Sequence, residues 1–126
     1  MPVIFILARD WTLRTALRAE LRELGIDALG MDSPEDAGRA LAAGQVPAVV
    51  VAEATADLIS GREIQNLLTR VPSILIASRT EKIPVPVPQP GETAPRRILG
   101  TVVYRPVRIG EIVSRVRSLL EKGQAA

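Results

Sequence analysis

Three places in this chain of 126 residues bring charge to where a strand gives way to a loop: Arg9-Asp10, Glu53 and Arg105. Glu53 ends the run Pro47-Ala48-Val49-Val50-Val51-Ala52. That run is continuously apolar and rich in β-branched residues, the pattern of a central strand covered on both faces. A carboxylate at the carboxyl end of such a strand faces the crevice in which open α/β sheets bind ligands. Ala8-Arg9-Asp10 and Tyr104-Arg105-Pro106 end two further candidate strands. Arg9 and Arg105 are therefore expected to converge on Glu53, two guanidiniums gripping one carboxylate in a charge-assisted pair. Other chemistry is hard to assemble. The chain has no histidine and no cysteine, which excludes Cys/His zinc sites, thiol nucleophiles and His-based triads. It has no glycine-rich phosphate loop either. No catalytic residue, metal or cofactor is expected, and the chain does not read as an enzyme.

The elements that must position these charges alternate along the chain. Val3–Ala8 reads as a first strand. Thr12–Leu24 reads as a helix with Leu13, Ala16, Leu17, Leu21 and Leu24 on one face, stopped by Gly25. Ile26–Met31 is a short strand. Ser33-Pro34-Glu35-Asp36 opens a second helix, with Ser at the cap, Pro at the first position and acids in the first turn; Gly44 closes it. After the strand that ends at Glu53, Ser60-Gly61-Arg62-Glu63 has the pattern of a capping box, with Ile64, Leu67 and Leu68 behind it. Ser73–Ala77 and Thr101–Tyr104 are the fourth and fifth strands. Ile109, Ile112, Val113, Val116, Leu119 and Leu120 mark a last helix that frays into residues 123–126. Strands interleaved with helices through right-handed crossovers give an α/β, doubly wound, five-stranded parallel sheet, a single domain over residues 1–122.

One segment breaks this rhythm. Between the fourth and fifth strands a helix is due, yet the chain reads Ile83-Pro84-Val85-Pro86-Val87-Pro88-Gln89-Pro90-Gly91. Each Pro restricts itself and the residue before it, so the stretch favours polyproline II and the fourth helix is expected to be missing or replaced by a proline-rich loop over residues 83–97. Such a loop either shields the sheet face with Ile83, Val85 and Val87 or presents a docking strand to a partner.

Composition narrows the setting. Only Phe5, Trp11 and Tyr104 are aromatic, so the core must be aliphatic. The apolar stretch at the amino terminus is too short for a signal sequence or a membrane span, which predicts a cytoplasmic protein without membrane insertion. Sixteen basic residues face fourteen acidic ones, and fourteen of the sixteen are Arg. Arg richness, with Arg96-Arg97 beside the proline segment, leaves nucleic-acid binding as an alternative function, weakened by the lack of interleaved aromatics. Arg14, Arg18 and Arg22 lie at i, i+4, i+8 on the first helix; with Asp10, Glu20 and Glu23 nearby they read as a solvated, salt-bridged face.

In their order, these elements resemble the receiver domain of bacterial response regulators over essentially the whole chain. Ile6-Leu7-Ala8-Arg9-Asp10, Leu13-Arg14 and the spaced leucines up to Gly25 look like the family's first strand and helix. Ser33-Pro34-Glu35-Asp36-Ala37 looks like the start of its second helix. Glu53 with Gly61 keeps the spacing between phosphoacceptor and following glycine, and Arg105-Pro106 before Glu111-Ile112-Val113 looks like the Lys-Pro step and final helix. The resemblance implies a flavodoxin-like sheet of strand order 2-1-3-4-5 and a cis bond at Pro106. It also implies a site that departs from the family's. The two acids that hold Mg²⁺ fall at Ala8 and Arg9, the phosphoacceptor Asp at Glu53, the switch Ser/Thr at Ala77 with Ser78 adjacent, and the Lys at Arg105.

These departures matter chemically. Phosphoryl transfer to a carboxylate needs a divalent cation to neutralise the transferring group and hold it in line, and Mg²⁺ demands near-octahedral oxygen ligation. Ala8 and Arg9 remove ligands and add a positive charge; Asp10 and Asp57 are the remaining acids nearby. The extra methylene of Glu53 also moves its oxygens by about 1.5 Å, enough to slow transfer severely. The expectation is a pseudo-receiver held in one state by a Glu53–arginine cluster that mimics a phosphorylated Asp, with a merely decayed site as the alternative. Its output would be contact with another protein, a second copy being one option, through a surface containing Trp11, Pro84, Val85, Pro86, Val87, Pro88 and Tyr104. Trp11 is read first as a lid over the crevice and second as a partner anchor.

Overall fold

The computed structural model describes residues 2–79 and 98–125. The continuous apolar runs form a parallel sheet of β1 (Val3–Leu7), β2 (Asp27–Met31), β3 (Pro47–Glu53), β4 (Ser73–Ala77) and β5 (Gly100–Tyr104), in the order β2-β1-β3-β4-β5. Because side chains alternate across a strand, each run feeds two cores. Val3, Phe5, Leu7, Val50, Ala52 and Leu75 pack against α2 (Pro34–Ala42), α3 (Ala56–Ile59) and α4 (Arg62–Arg70). Ile4, Ile6, Val49, Val51, Ile74 and Ile76 pack against α1 (Trp11–Glu23) and α5 (Ile109–Ala125). Both cores are almost wholly aliphatic, Phe5 being the one buried aromatic among the described residues.

Helix ends follow the sequence signals in two cases and depart from them in others. The Asp10 carboxylate accepts from the Leu13 N–H at 3.2 Å and starts α1. At its other end Gly25, at φ +76°, donates to Arg22 while Ile26 donates to Leu21, the paired bonds that a left-handed residue permits. Leu24, expected on the buried face of this helix, is exposed because it sits at the turn beyond the last packed leucine. Ser33 caps α2 as expected, its hydroxyl accepting from the Asp36 N–H at 3.3 Å.

The expected capping box at Ser60 does not form. The chain makes two helices after β3, and Ser60 ends the first of them, its hydroxyl donating to the Ala56 carbonyl. Gly61 is the N-cap of α4 and supplies no side-chain acceptor. Its backbone is extended at φ −65°, ψ 146°, and a Cβ there would meet nothing within 4 Å. Gly61→Asp should therefore stabilise the chain by about 0.5 kcal/mol through a side-chain cap and the favourable helix dipole. Thermal unfolding would check this, and a lowered Tm would contradict it.

α5 continues through Gly123 to Ala125 rather than fraying after residue 122. One glycine among Glu121, Lys122 and Gln124 is too small a cost to stop a helix already formed. The expected loss or replacement of the fourth helix, and the proline-rich loop over residues 83–97, lie outside the described residues. Among the described residues no helix is long and apolar enough to cross a membrane.

Candidate functional site

Strand register brings the expected charges together. Leu7 pairs with Ala52, so Ala8 is level with Glu53 at the carboxyl edge where β1 and β3 lie side by side. Chain connections leave these two neighbours in opposite directions, the switch point at which doubly wound sheets open a crevice. Ala77 pairs with Tyr104, and the Arg105 N–H extends that ladder to the Ala77 carbonyl at 2.9 Å. The peptide bond from Arg105 to Pro106 is cis, as the resemblance implied.

Glu53 is buried, only 6 % exposed. Its Oε1 accepts from the Arg9 N–H and from the Asp10 N–H, the latter at 3.1 Å. Its Oε2 accepts from Arg105 Nη2. A carboxylate withdrawn from water requires such partners, because its desolvation is otherwise costly. Arg105 is itself about half in solvent, its side chain 44 % exposed, so water and salt retain access to one side of the pair.

Arg9 does not grip Glu53 with its guanidinium. Its backbone N–H serves Glu53, while its Nε pairs with Asp57 Oδ2 at 2.5 Å. The two side chains form an exposed bridge across the crevice mouth, from the end of β1 to α3. The Thr55 hydroxyl beside Asp57, and then Arg9, hold the Asp57 carboxyl below the usual carboxylate range against the opposing effect of desolvation. The Thr55 oxygen is buried and makes no hydrogen bond of good geometry, which leaves Arg9 as the firm partner.

The other expected residues divide into three sets. Ala8 and Ala77 are buried and carry no ligating group, and Ser78 is half-buried one residue past β4. Asp10, Arg105 and Pro106, with Leu13, Ile76 and Val107, line a cleft of about 320 Å³ beside Glu53. Trp11 is 66 % exposed and is not part of the lining of that cleft. Tyr104 is 45 % exposed, with the Arg79 guanidinium 5.5 Å above its ring centroid. Pro84, Val85, Pro86, Val87 and Pro88 lie outside the described residues. Among the described residues no group of three or more His, Cys, Asp or Glu side chains could hold a metal ion.

No protein-family model matches the chain, and no curated protein matches it. Solved structures do. The chain is similar to a response regulator receiver protein from Burkholderia phymatum, with a TM-score of 0.68 and 23% identity over 96% of each chain. A response regulator receiver protein from Pseudomonas putida matches with a TM-score of 0.65 and 17% identity, over 93% of this chain and 96% of that one. A response regulator from Thermotoga maritima matches with a TM-score of 0.62 and 12% identity, over 96% of this chain and 98% of that one. The fold is that of a receiver domain. Within this receiver fold, Ala8, Arg9, Glu53, Ala77 and Arg105 all stand at carboxyl strand ends, where the sequence placed them. Two contributions are not visible in the sequence. Asp57 stands there only as a nearby acid, because α3 is too short to show a period that would aim it. Arg14, expected in a solvated stripe, donates through Nη1 to the Ala8 carbonyl at 2.7 Å.

Proposed function

We propose that this chain is a phosphorylation-independent, receiver-like signalling module that acts by contacting another protein. Glu53 supplies permanently the charge that a phosphorylated Asp would supply on demand, and Arg105 is its cationic partner. One observation carries the reading: the Glu53 carboxylate is buried and already occupied by two backbone N–H groups and Arg105. Oε1 already accepts two donors and Oε2 one, which draws charge from the carboxylate and weakens it as a nucleophile, and Ala8 and Arg9 offer no ligand for the cation that phosphoryl transfer needs. Solved structures described as response regulators support the signalling context, and the exposed Trp11 and Tyr104 are suited to a protein contact. On this reading the module is not an enzyme and works in the cytoplasm.

The nucleic-acid alternative loses ground. Of the fourteen arginines, Arg9, Arg39, Arg105 and Arg115 pair with acids, Arg14 bonds a carbonyl and Arg79 covers a ring. Arg96 and Arg97, on which that alternative also rests, lie outside the described residues.

Incubation with acetyl phosphate and Mg²⁺, followed by intact mass measurement, is expected to give an unmodified chain. A gain of one phosphoryl unit that Glu53→Gln abolishes would sink the reading.

A further inference from the structure

We propose that Arg14 is a positioning residue for Glu53, acting through the Ala8–Arg9 peptide group. The N–H of that group, on Arg9, donates to Glu53 Oε1. The C=O of the same group, on Ala8, accepts from Arg14 Nη1 at 2.7 Å. A single rigid plane is thus held at its hydrogen by a carboxylate and at its oxygen by a guanidinium. Each charge polarises the peptide toward the other, so the two hydrogen bonds strengthen together. The guanidinium also fixes the rotation of the plane, and with it the direction in which the Arg9 N–H points. The peptide before it is fixed separately, the Ala8 N–H donating to the Met31 carbonyl at 2.9 Å.

The path of the Arg14 side chain is itself built into the sheet. Its stem crosses Gly30 of β2, where an added Cβ would lie 2.9 Å from Cγ and 3.0 Å from Cδ. A larger residue at this register, opposite Ile6 on β1, would force the stem aside. The three evenly spaced arginines of α1 are therefore unlike one another: Arg14 turns back under the crevice, and its role is legible only with β2 in place. Glu53 has Arg105 as a direct cation and Arg14 as a second cation, one peptide group away.

This inference deepens the reading of Glu53 as a fixed charge. No phosphoryl donor enters its test, so a mass gain in the phosphorylation assay would remove that reading and leave this one standing. The test is NMR of the full ¹⁵N-labelled chain. Arg14→Met keeps a stem over Gly30 and removes the donor. The Arg9 amide proton should move upfield and exchange with solvent about tenfold faster, while Arg18→Met on the same helix changes neither. A second measurement does not depend on the folding of the Arg14 variant. In Glu53→Gln, the Arg14 guanidinium signals should shift and exchange faster, because coupling through the peptide is reciprocal. An Arg9 signal and exchange rate unchanged in a folded Arg14→Met, or Arg14 guanidinium signals unchanged in Glu53→Gln, overturns the proposal.

Discussion

Arg105→Met should lower the free energy of unfolding by about 2 kcal/mol, because it leaves the buried Glu53 carboxylate with two backbone donors and no cation in direct contact. The loss of a fully buried partner costs more, and the exposure of Arg105 is what moderates it. Glu53→Gln should cost less, about 1 kcal/mol. Its amide oxygen can still accept from Arg9 and Asp10, and Arg105 can turn toward water. In the double variant the two costs should not add, since the uncompensated charge that makes Arg105→Met expensive is then gone. Urea unfolding of the four proteins measures the coupling, expected at about 1 kcal/mol. Strict additivity would mean that the Arg105–Glu53 contact contributes nothing, and the locked site would lose its anchor.

Gly100→Ala is expected to be the most damaging small substitution among the described residues. Gly100 has φ +127°, a region that side chains rarely enter, and an added Cβ would lie 1.8 Å from the Ser73 carbonyl oxygen. That oxygen belongs to backbone and cannot swing away. Ser73 and Gly100 are also the first pair of the β4–β5 ladder, beside the bonds from Ser73 to Leu99 and from Leu99 to Leu68. Relief of the clash would pry β5 from the sheet at its start, five residues before Arg105. The cost should be about 3 kcal/mol or more, a fall in Tm of about 10 °C. A Tm unchanged from the parent chain would show that β5 does not approach β4 as described.

Much of this was legible in residue types. Continuous apolar runs gave the parallel strands, because a sheet covered on both faces has no polar side to mark. Ser33-Pro34 and Gly25 marked helix ends, because caps are local chemistry. The crevice followed from topology once the strands were ordered. What the residues could not reveal was which of several donors would reach a given acceptor. Arg9 was expected to give its guanidinium to Glu53, yet its own amide is nearer, and Asp57 takes the side chain. Ser60 matched a capping pattern but was spent ending a four-residue helix too short to leave a periodic trace. Gly100 looks like an ordinary strand-edge glycine until the carbonyl of Ser73 is set beside it.

The negative charge at the β3 end belongs to the polypeptide and is lodged there by main-chain amides. It follows, on the proposed reading, that this signal has no lifetime: no hydrolysis erases it and no upstream donor renews it. A cell could then tune the output through the number of copies it makes and destroys, so the molecule would report its own abundance.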